Sequence, residues 1–480
     1  MEVDLIIDGE GRKAQSGKTF DRLNPVTRAV ATTAPAASKA DCDKAVSAAH
    51  AAFATWSKTG PGERRALLNK AAAVLEEMGG EFISAYVEEV GCTVPWAGFN
   101  NYFAGKILLE AAAATTQIKG EVIPSDKPGS LAMAVKRPVG VMVGMAPWNA
   151  ATILGFRAVS MAVACGNTVV LKASEKCPRT HMLIGEVFRR AGFPKGVVNV
   201  ITHAAEDAPE VVNALIAHPK VRRVNFTGST RVGQQMIRDA AATLKKVSME
   251  LGGNAPVIVH DDADLEACLN AAVPTKFANA GQVCVTGDRF YVHDSLHDAF
   301  VDGFVKRAQA IRLGDGLDPS VDMGPLINGA RLAEMEKIVA GAVAAGAKIA
   351  SGGARAAGFN AGHFYEPTVL TGCTDGMAVM AEENFGPIAA ITRFSTEDEV
   401  LARANAIDMG LSAYAFTTNP ARARRTVAAL KAGMVGINSF AMAASEAPFG
   451  GTNHSGMGRE GGTEGIRDYL DVKSSQVVWA

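Results

Sequence analysis

From residue 139 onward, short apolar runs alternate with segments of helical periodicity, and this alternation constrains the fold more than any other feature. The apolar runs Val139–Ala146, Thr168–Leu171, Val197–Ile201 and Arg223–Phe226 are typical of buried parallel strands. Helical patterns at about 152–164, 178–191, 207–217 and 230–244 separate these runs. Strands alternating with helices form βα units, which build a doubly wound sheet. A second βα series, from Pro256 to about Asn438, predicts a second sheet, so the predicted fold class is α/β.

The segments on either side of these βα series have their own signals. Ser38 and Asp41 stand at capping-box spacing before a helical stretch from Cys42 to Trp56. A longer helical pattern begins at Pro61, runs to Glu89 and stops at Gly91. The stretch 120–137 alternates and contains turn residues, which predicts a protruding hairpin. The last stretch, 469–479, is strand-like and is expected to pair with another strand.

Composition and charge exclude several classes of function. The 48 basic and 49 acidic residues are interspersed, and the formal net charge is −1, so no basic surface for nucleic acid or an anionic membrane is predicted. The start of the chain carries acids rather than the bases of a signal peptide, and no apolar run is long enough to span a bilayer. Seven scattered cysteines without a Cys-x-x-Cys motif indicate reduced thiols, a cytoplasmic location and no metal site.

Cys284 is the candidate nucleophile. It lies among small residues, with Gly281 three positions before it and Gly287 three positions after it. These glycines indicate a backbone that lets a ligand approach closely, as a reactive thiol requires. Taken alone, the pattern fits a buried, inert cysteine equally well, because cysteine is among the most buried residue types.

Glu250 is the second candidate for chemistry. It ends an apolar, strand-like run and is followed by Leu251 and two glycines. Carboxylates at such strand ends can reach into clefts of α/β proteins and act as general bases. The alternative is a turn residue bonded to the local backbone.

The two stretches Met249–Asn254 and Gly281–Cys284 resemble the signature segments of the aldehyde dehydrogenase superfamily, and four further segments match in the same order over nearly the whole chain. The resemblance implies two doubly wound Rossmann-type domains plus a small β oligomerisation element. It implies an NAD-binding domain (1–118 and 139–251), a catalytic domain (252–449), and an oligomerisation hairpin and tail (119–138 and 450–480). It also implies a homodimer or homotetramer, with the terminal strand paired to another subunit near the hairpin.

A cofactor site is indicated by two turns that follow predicted strands. The turn 226–233 opens a helix, where backbone N–H groups can face a pyrophosphate, although its Gly-x-x-x-x-Gly spacing also fits an ordinary βα turn. Lys172 and Glu175 follow another strand; they are either a solvated pair or, as the resemblance implies, ligands of the adenosine ribose. Glu175 favours NAD, with NADP possible. The complete predicted cofactor set is Trp148, Lys172, Glu175, Gly228, Ser229, Gly233, Leu251, Glu383 and Phe385.

The resemblance implies a mechanism for these residues. Cys284 as a thiolate adds to the aldehyde, Asn149 stabilises the oxyanion, and Glu250 activates the water that releases the acid. Lys172 is a further candidate for tuning the thiol. The presence of Glu250 argues for hydrolysis rather than acyl transfer to coenzyme A. Asn149 has an alternative role as a helix N-cap. A cofactor-free thiol esterase is the alternative from another class of enzyme.

The substrate prediction rests on Arg157 and on small residues near the nucleophile. The chain is similar to succinate-semialdehyde dehydrogenases, which keep an arginine at the position of Arg157 for the distal carboxylate. Their second arginine is replaced by Ala278 and a serine by Ala443. The amino-terminal half instead resembles aromatic dehydrogenases of the salicylaldehyde and vanillin type. We therefore expect an acid semialdehyde first and an aromatic or apolar aldehyde second; Arg157 alternatively forms a helix ion pair. The predicted substrate residues are Arg157, Ala150, Val283, Val285, Ala443 and Phe449.

Overall fold

The computed structural model describes residues 1–442 and 444–479. Its strands are β1 (Leu5–Ile7), β2 (Glu10–Arg12), β3 (Thr19–Leu23), β4 (Val30–Pro35), β5 (Glu121–Ile123), β6 (Ser130–Pro138), β7 (Val141–Met145), β8 (Thr168–Lys172), β9 (Val198–Ile201), β10 (Val221–Thr227), β11 (Lys246–Glu250), β12 (Ala255–Val259), β13 (Gly287–His293), β14 (Lys348–Ser351), β15 (Thr368–Thr371), β16 (Ile388–Phe394), β17 (Met409–Gly410), β18 (Ser412–Phe416), β19 (Met434–Ile437), β20 (Thr452–Asn453), β21 (Gly456–Met457) and β22 (Leu470–Val478).

The α-helices are α1 (Lys39–Trp56), α2 (Pro61–Glu77), α3 (Gly79–Val90), α4 (Val94–Ala114), α5 (Ala151–Ala164), α6 (Pro178–Ala191), α7 (Ala208–Ala217), α8 (Thr230–Ala241), α9 (Leu265–Phe277), α10 (His297–Gln309), α11 (Gly329–Ala344), α12 (Ala378–Ala381), α13 (Glu397–Ala404), α14 (Pro420–Ala429) and α15 (Gly462–Asp468). A short 3-10 turn, Ala278–Gly281, follows α9. Within the described ranges, no helix is both long enough and apolar enough to cross a bilayer.

The first sheet is doubly wound, as predicted. Its strand order is β2-β1-β9-β8-β7-β10-β11-β21, and the five central strands are parallel. One face packs on α1, α7 and α8, and the other on α2, α4, α5 and α6, so each face has its own apolar core. The strands are buried on both faces, which explains why their sequences are continuously apolar.

The second sheet has the order β14-β15-β16-β13-β12-β18-β19 and is parallel except at β14. Its core includes apolar side chains of α9, α10 and α11. The predicted fold class, two doubly wound α/β units with a small β element, is confirmed.

The hairpin forms as predicted, and the terminal strand pairs with it. β5 and β6 are antiparallel, and β22 runs antiparallel to β6 of the same chain from the pair Leu470–Pro138 to the pair Val478–Ser130. This pairing uses one edge of β22, which is the outer strand of the order β22-β6-β5, so the expected pairing with another subunit stays a prediction. The tail before it also contributes β21 to the first sheet, beside β11.

One predicted helix is divided in two. The pattern from Pro61 to Glu89 becomes α2 and α3, separated at Met78, whose neighbours Gly79 and Gly80 weaken helix continuity. The predicted end at Gly91 is confirmed, since this residue adopts the left-handed conformation with φ 78°. The capping box of Ser38 and Asp41 is also present.

Candidate active site

The turn Ala146–Ala150, here called the oxyanion turn, leaves the carboxyl end of β7 and leads into α5. The backbone carbonyl of Asn149 accepts three hydrogen bonds: from the Tyr86 hydroxyl (2.6 Å), from Trp96 Nε1 (3.1 Å) and from Asn279 Nδ2 (3.1 Å). The N-cap of α5 is Ala150 and not Asn149, so the capping role considered for Asn149 does not apply. The main chain at Asn149 is fixed through its carbonyl, which leaves the side-chain amide for other partners.

The nucleophile segment Phe277–Gly287 approaches this turn from the second sheet. Its residues Asn279, Ala280 and Gly281 lie consecutively in the left-handed region, with φ of 48°, 55° and 69°. A Cβ on Gly281 would collide with the backbone of Gly386, so only glycine fits this close approach. This unusual turn presents Cys284, which is the only one of the seven cysteines that is not fully buried.

Contacts with four other elements hold the nucleophile segment in place. Lys276 Nζ and Asp288 Oδ1, at its two ends, form a buried ion pair 2.6 Å apart. The Thr286 hydroxyl donates to the Thr275 carbonyl (3.1 Å), and the Tyr414 hydroxyl of β18 donates to the Val285 carbonyl (2.5 Å). The side chain of Gln282 accepts a hydrogen bond from the Ile327 N–H (2.9 Å). These bonds offset the strain of non-glycine residues in the left-handed region.

A cavity of about 600 Å³ lies between the two sheets and contains the candidate groups. Its lining residues come from the oxyanion turn, the loop after β8, the end of β10 and the turn after it, the segment after β11, the nucleophile segment, the start of α11 with the two residues before it, and the loop after α12. They are Pro147, Trp148, Asn149, Lys176, Thr227, Gly228, Ser229, Leu251, Gly252, Cys284, Ile327, Asn328, Ala330, Arg331, Glu334, Glu383 and Phe385. Cys284 and Asn149, predicted from distant parts of the sequence, thus face one space.

Glu250 lies at the carboxyl end of β11, next to the lining residue Leu251. It is 2% exposed, and neither of its carboxylate oxygens has a hydrogen-bond partner among the described residues. A Cβ on Gly450 would come within 2.6 Å of Glu250 Oε1, so this glycine leaves the space that the carboxylate occupies. A buried carboxylate without partners is costly and is a frequent sign of a functional group.

Burial and neighbouring charges set the proton affinities of these groups. Burial raises the pKa of Cys284 to about 12, and the charges of Glu383 and Glu250 add to the increase, whereas Arg157 lowers it. Burial also raises the pKa of Glu250 well above its ordinary value, with a further contribution from Glu460 and an opposing one from Arg157. A carboxylate with a raised pKa is a better proton acceptor, as a general base requires.

The turn after β10 lies beside Glu250 and could hold a cofactor phosphate. The Gly228 N–H donates to the Glu250 carbonyl (3.0 Å), and Ser229 is the N-cap residue of α8. Gly233 packs closely against the Leu251 side chain, so it is a packing residue rather than part of the cavity lining. The positive end of α8 and the small residues at the cavity fit a dinucleotide pyrophosphate.

Lys172 precedes a second turn, Ala173–Cys177, here called the ribose turn, and Glu175 lies within it. Lys172 Nζ lies 2.9 Å from His203 Nε2, and Lys176 Nζ lies 4.0 Å from Glu175 Oε1. Burial lowers the pKa of Lys172. Burial alone would raise the pKa of Glu175, but the charges of Lys172 and Lys176 outweigh it and the pKa is lowered. Glu175 is therefore held as an anion at neutral pH.

Glu383 and Phe385 line the other side of the cavity. Glu383 Oε1 accepts a hydrogen bond from the Gly253 N–H (2.9 Å), and burial raises its pKa to about 7. A Cβ on Gly252 would lie 2.6 Å from Glu383 Oε2, so this glycine admits the carboxylate. The Phe385 ring meets the Trp148 ring edge to face, with centroids 5.9 Å apart. An apolar wall beside a carboxylate suits a nicotinamide riboside.

Arg157 lies in α5, 7% exposed, and its guanidinium is engaged by protein groups. Its Nη1 lies 3.9 Å from Glu460 Oε2, and its guanidinium stacks on the Phe449 ring at 4.1 Å. Arg157 Nε and Nη1 have no hydrogen-bond acceptor among the described residues. The structure thus places Arg157 in a buried ion pair on a helix, and its role toward a substrate stays a prediction.

Two of the other predicted substrate residues, Phe449 and Val285, form part of an apolar surrounding for Cys284. Phe449 belongs to a small cluster with Leu411 and Met434, against which Cys284 and Val285 pack. Ala150 packs against a second cluster, formed by Phe103, Ile107 and Ile153. Val283 is half-buried beside the nucleophile. The prediction for Ala443 falls outside the described residues.

Several residues that hold the site together had no signal in the sequence. Tyr86 and Trp96 act on Asn149 from α3 and α4, more than 50 positions away. Lys176, Arg331 and Glu334 line the cavity although no motif singled them out. Asn279 lies within the cysteine stretch, but only the fold shows that its side chain reaches the Asn149 carbonyl.

Comparison with known proteins is consistent with this geometry. Residues 12–475 match the model of the aldehyde dehydrogenase family. The chain belongs to the aldehyde dehydrogenase family. This aldehyde dehydrogenase is 43% identical over 474 residues to vanillin dehydrogenase of Pseudomonas fluorescens, which covers 98% of the chain and 97% of the relative. Its fold matches the crystal structure of a salicylaldehyde dehydrogenase from Pseudomonas putida G7 complexed with salicylaldehyde, with a TM-score of 0.97 and 37% identity. That match covers 100% of this chain and 98% of the solved one.

The aldehyde dehydrogenase also resembles enzymes for acid semialdehydes. A probable NADP-dependent succinate-semialdehyde dehydrogenase of Sinorhizobium fredii is 38% identical over 454 residues, covering 95% of this chain and 92% of the relative. The family oxidises aldehydes with NAD or NADP. The chain is therefore an oxidoreductase acting on aldehydes.

Proposed function

We propose that this aldehyde dehydrogenase oxidises an aldehyde to the free carboxylic acid through a covalent adduct on Cys284, with NAD as cofactor. The observation that carries this proposal is that Cys284 and Asn149 face one cavity with the unpartnered carboxylate of Glu250 behind it. A thiol, an amide donor and a buried base are the three groups that acyl chemistry needs.

The chain's own residues have successive roles. Cys284 releases its proton to solvent, its thiolate sulfur bonds to the aldehyde carbon, and the electron pair of the carbonyl π bond moves to the oxygen, which becomes an oxyanion. The Asn149 side-chain amide and the Cys284 backbone N–H donate to that oxyanion. After loss of hydride, the carbon is a thioester. Glu250 then removes a proton from water, the water oxygen bonds to the acyl carbon, and the carbon–sulfur bond breaks to release the acid and the thiolate.

The cofactor is assigned from residues that fit a dinucleotide. Gly228, Ser229 and the end of α8 would bind the pyrophosphate, Lys172 and Glu175 the adenosine ribose, and Glu383, Phe385 and Trp148 the nicotinamide half. When bound, the nicotinamide accepts the hydride from the aldehyde carbon. The anionic Glu175 repels a 2′-phosphate, so NAD is favoured over NADP. Glu250 favours water as the acyl acceptor, which makes the enzyme hydrolytic and not CoA-acylating.

For the substrate we propose an aromatic aldehyde. Cys284 and Val285 pack with Leu411, Met434 and Phe449, and this surrounding offers aromatic and aliphatic contacts rather than charge. The guanidinium of Arg157 is stacked on Phe449 and paired with Glu460, so it is committed to the protein. The identity to a vanillin dehydrogenase supports the same substrate class.

An acid semialdehyde, the first expectation from the sequence, is the second candidate. It is supported by the two guanidinium nitrogens of Arg157 that have no acceptor in the described parts of the chain, because these could bind a carboxylate. Arg157 would then have to divide its charge between the substrate carboxylate and Glu460, which weakens its ion pair within the protein.

The reaction is tested with two variants. Cys284→Ser should lose aldehyde-dependent NADH formation, by about 1,000-fold or more, because a hydroxyl is a far weaker nucleophile than a thiolate. Glu250→Gln should keep a single NADH burst in stopped flow but lose steady turnover, because hydrolysis of the thioester needs the base. Steady turnover at the wild-type rate in either variant would contradict the role given to that residue.

The substrate is tested by comparing vanillin, salicylaldehyde, hexanal and succinate semialdehyde on wild type and on Arg157→Met. We expect the aromatic aldehydes to have the highest kcat/KM. We also expect the arginine change to lower kcat without a selective rise of KM for succinate semialdehyde, since the charge acts on Cys284 and Glu250. A rise of about tenfold or more in that KM alone would instead assign Arg157 to a substrate carboxylate.

A further inference from the structure

His181 is a fully buried residue in the first turn of α6, outside the lining of the cavity. Its Nδ1 accepts a hydrogen bond from the Ser174 N–H at 3.0 Å, and its Nε2 lies 3.1 Å from the Ala151 carbonyl oxygen. Ser174 lies in the ribose turn, between Lys172 and Glu175. Ala151 follows the oxyanion turn directly, two residues after Asn149. One imidazole ring therefore bridges the two turns that carry the site.

The two bonds define the state of the ring. A backbone N–H can only donate and a carbonyl can only accept, so Nδ1 is unprotonated and Nε2 carries the proton. Burial lowers the pKa of His181 to about 3, with a further contribution from the charge of Lys172, so the ring remains neutral at physiological pH. The Cys177 thiol lies 3.7 Å from Nε2 and 3.9 Å from Nδ1, and burial raises its pKa, so it adds no charge beside the ring.

The bridge connects the two turns that follow the neighbouring strands β7 and β8. Met145 of β7 is paired with Lys172 of β8, and among the described residues no backbone hydrogen bond joins the two turns that follow. Gly155 of α5 leaves space beside the ring, since a Cβ there would lie 3.4 Å from the imidazole Cδ2 and would collide with the Ile184 side chain. A rigid, two-ended hydrogen-bonding side chain is suited to hold such turns at a fixed separation.

We propose that His181 is a positioning residue that sets the distance between the cofactor-binding ribose turn and the oxyanion turn. The inference rests on the proposed function, because it takes Lys172 and Glu175 as cofactor ligands and Asn149 as the oxyanion donor. His181 itself touches neither the cofactor nor the substrate. Its contribution is the alignment of two sites that are built on different turns.

Two substitutions separate the ends of the bridge. In His181→Asn, the amide oxygen takes the place of Nδ1 and keeps the bond to Ser174, whereas the bond to Ala151 is lost. In His181→Gln, the amide nitrogen takes the place of Nε2 and keeps the bond to Ala151, whereas the bond to Ser174 is lost. A bridge predicts different defects in the two variants, while a general packing role predicts the same defect in both.

The measurements are the Kd for NAD by calorimetry without aldehyde and the hydrolysis of p-nitrophenyl acetate without cofactor. We expect His181→Asn to hydrolyse the ester about tenfold more slowly with an unchanged Kd for NAD. We expect His181→Gln to bind NAD about tenfold more weakly with ester hydrolysis unchanged. His260→Gln, at a buried histidine beyond β12 in the second sheet, is the matched control and should change neither quantity.

Parallel changes in both variants, or no change in either, would overturn the inference. Neutron diffraction from a deuterated wild-type crystal tests the bridge even if both variants fail to fold. A deuteron on His181 Nε2 and none on Nδ1 is expected, and a deuteron on Nδ1 contradicts the bridge. A wild-type protein that neither binds NAD nor oxidises aldehydes would contradict the proposed function instead, whatever the variants do.

Discussion

Glu383 illustrates how the surroundings of a single side chain decide its charge. Its carboxylate accepts one backbone hydrogen bond, but burial raises its pKa from 4.5 to about 7. The charged form is thus disfavoured in the folded protein, and at neutral pH the side chain is near its titration point. A group of this kind couples stability to pH.

Glu383→Gln should therefore change the pH dependence of stability. A raised pKa stabilises the fold fully below pH 4.5, and that contribution is lost as the pH rises through 7. The glutamine variant carries no charge and does not lose this contribution. Its free energy of unfolding relative to wild type should therefore rise by about 1–2 kcal/mol between pH 5 and pH 8.5, an amount that is reduced because the side chain is partly exposed to the cavity. Thermal melting at the two pH values measures this.

The control for this variant is Glu77→Gln at the exposed end of α2. Its melting temperature should differ from that of wild type by the same amount at both pH values. A flat difference for Glu383→Gln as well would mean that the carboxylate is already solvated in the folded protein.

The candidate reacting residues could be singled out from the sequence because each lies in a short motif at or directly after a strand end or within a glycine-rich turn. Cys284, Asn149 and Glu250 are of this kind. The hydrogen bond from Tyr86 to the Asn149 carbonyl could not be predicted, because the two residues are 63 positions apart and the sequence around Tyr86 gives no sign of the contact. The role of Arg157 also depended on a distant partner, Glu460.

At the scale of elements, the nucleophile segment depends on the ion pair at its ends. Lys276 and Asp288 are buried with a separation of 2.6 Å, and burial raises the pKa of Asp288. Removing one charge from such a pair leaves the other uncompensated, whereas replacing both by apolar groups of similar volume is often nearly neutral.

Lys276→Met should therefore lower the free energy of unfolding by about 3–5 kcal/mol, and the double variant Lys276→Met/Asp288→Leu should recover most of it. Thermal or denaturant melting of the two variants is the measurement. Arg355→Met, which removes the exposed pair of Arg355 with Glu336, is the control and should cost at most about 1 kcal/mol. Equal losses for Lys276→Met and Arg355→Met would show that the buried pair does not stabilise the segment.

Element types were predictable where the apolar period was clear, as in the βα units of both sheets. The break between α2 and α3 was not, because the helical period continues across Met78 and only tertiary packing redirects the chain there. The hairpin was predictable from its turn residues. That β22 pairs with the β6 edge of this hairpin could be seen only in the folded structure.

For the whole molecule, the three-stranded sheet of β5, β6 and β22 exposes apolar side chains on both faces. Val122 is 73% exposed and Val472 is 67% exposed. A small antiparallel sheet with two open faces is rarely stable alone, and clustered exposed apolar residues mark interaction sites. We propose that this sheet joins subunits into a homodimer or homotetramer, as expected for the segments 119–138 and 450–480.

Val472→Lys should lower the molar mass in light scattering at micromolar concentration, because a charge in the interface would have to be desolvated. Val427→Lys on α14, also an exposed valine, is the control and should keep the wild-type mass. An unchanged mass for Val472→Lys would place the subunit contact elsewhere.

The carbonyl of Asn149, held by three donors, has a consequence for how such enzymes diversify. Because the turn is held through its main chain, we expect that the apolar residues Ala150, Ile153 and Phe449 can be exchanged without displacing the amide proposed as the oxyanion donor. Directed evolution toward new aldehydes should therefore tolerate libraries at these wall positions, whereas even conservative changes at Tyr86, Trp96 or Asn279 should reduce turnover on every substrate alike.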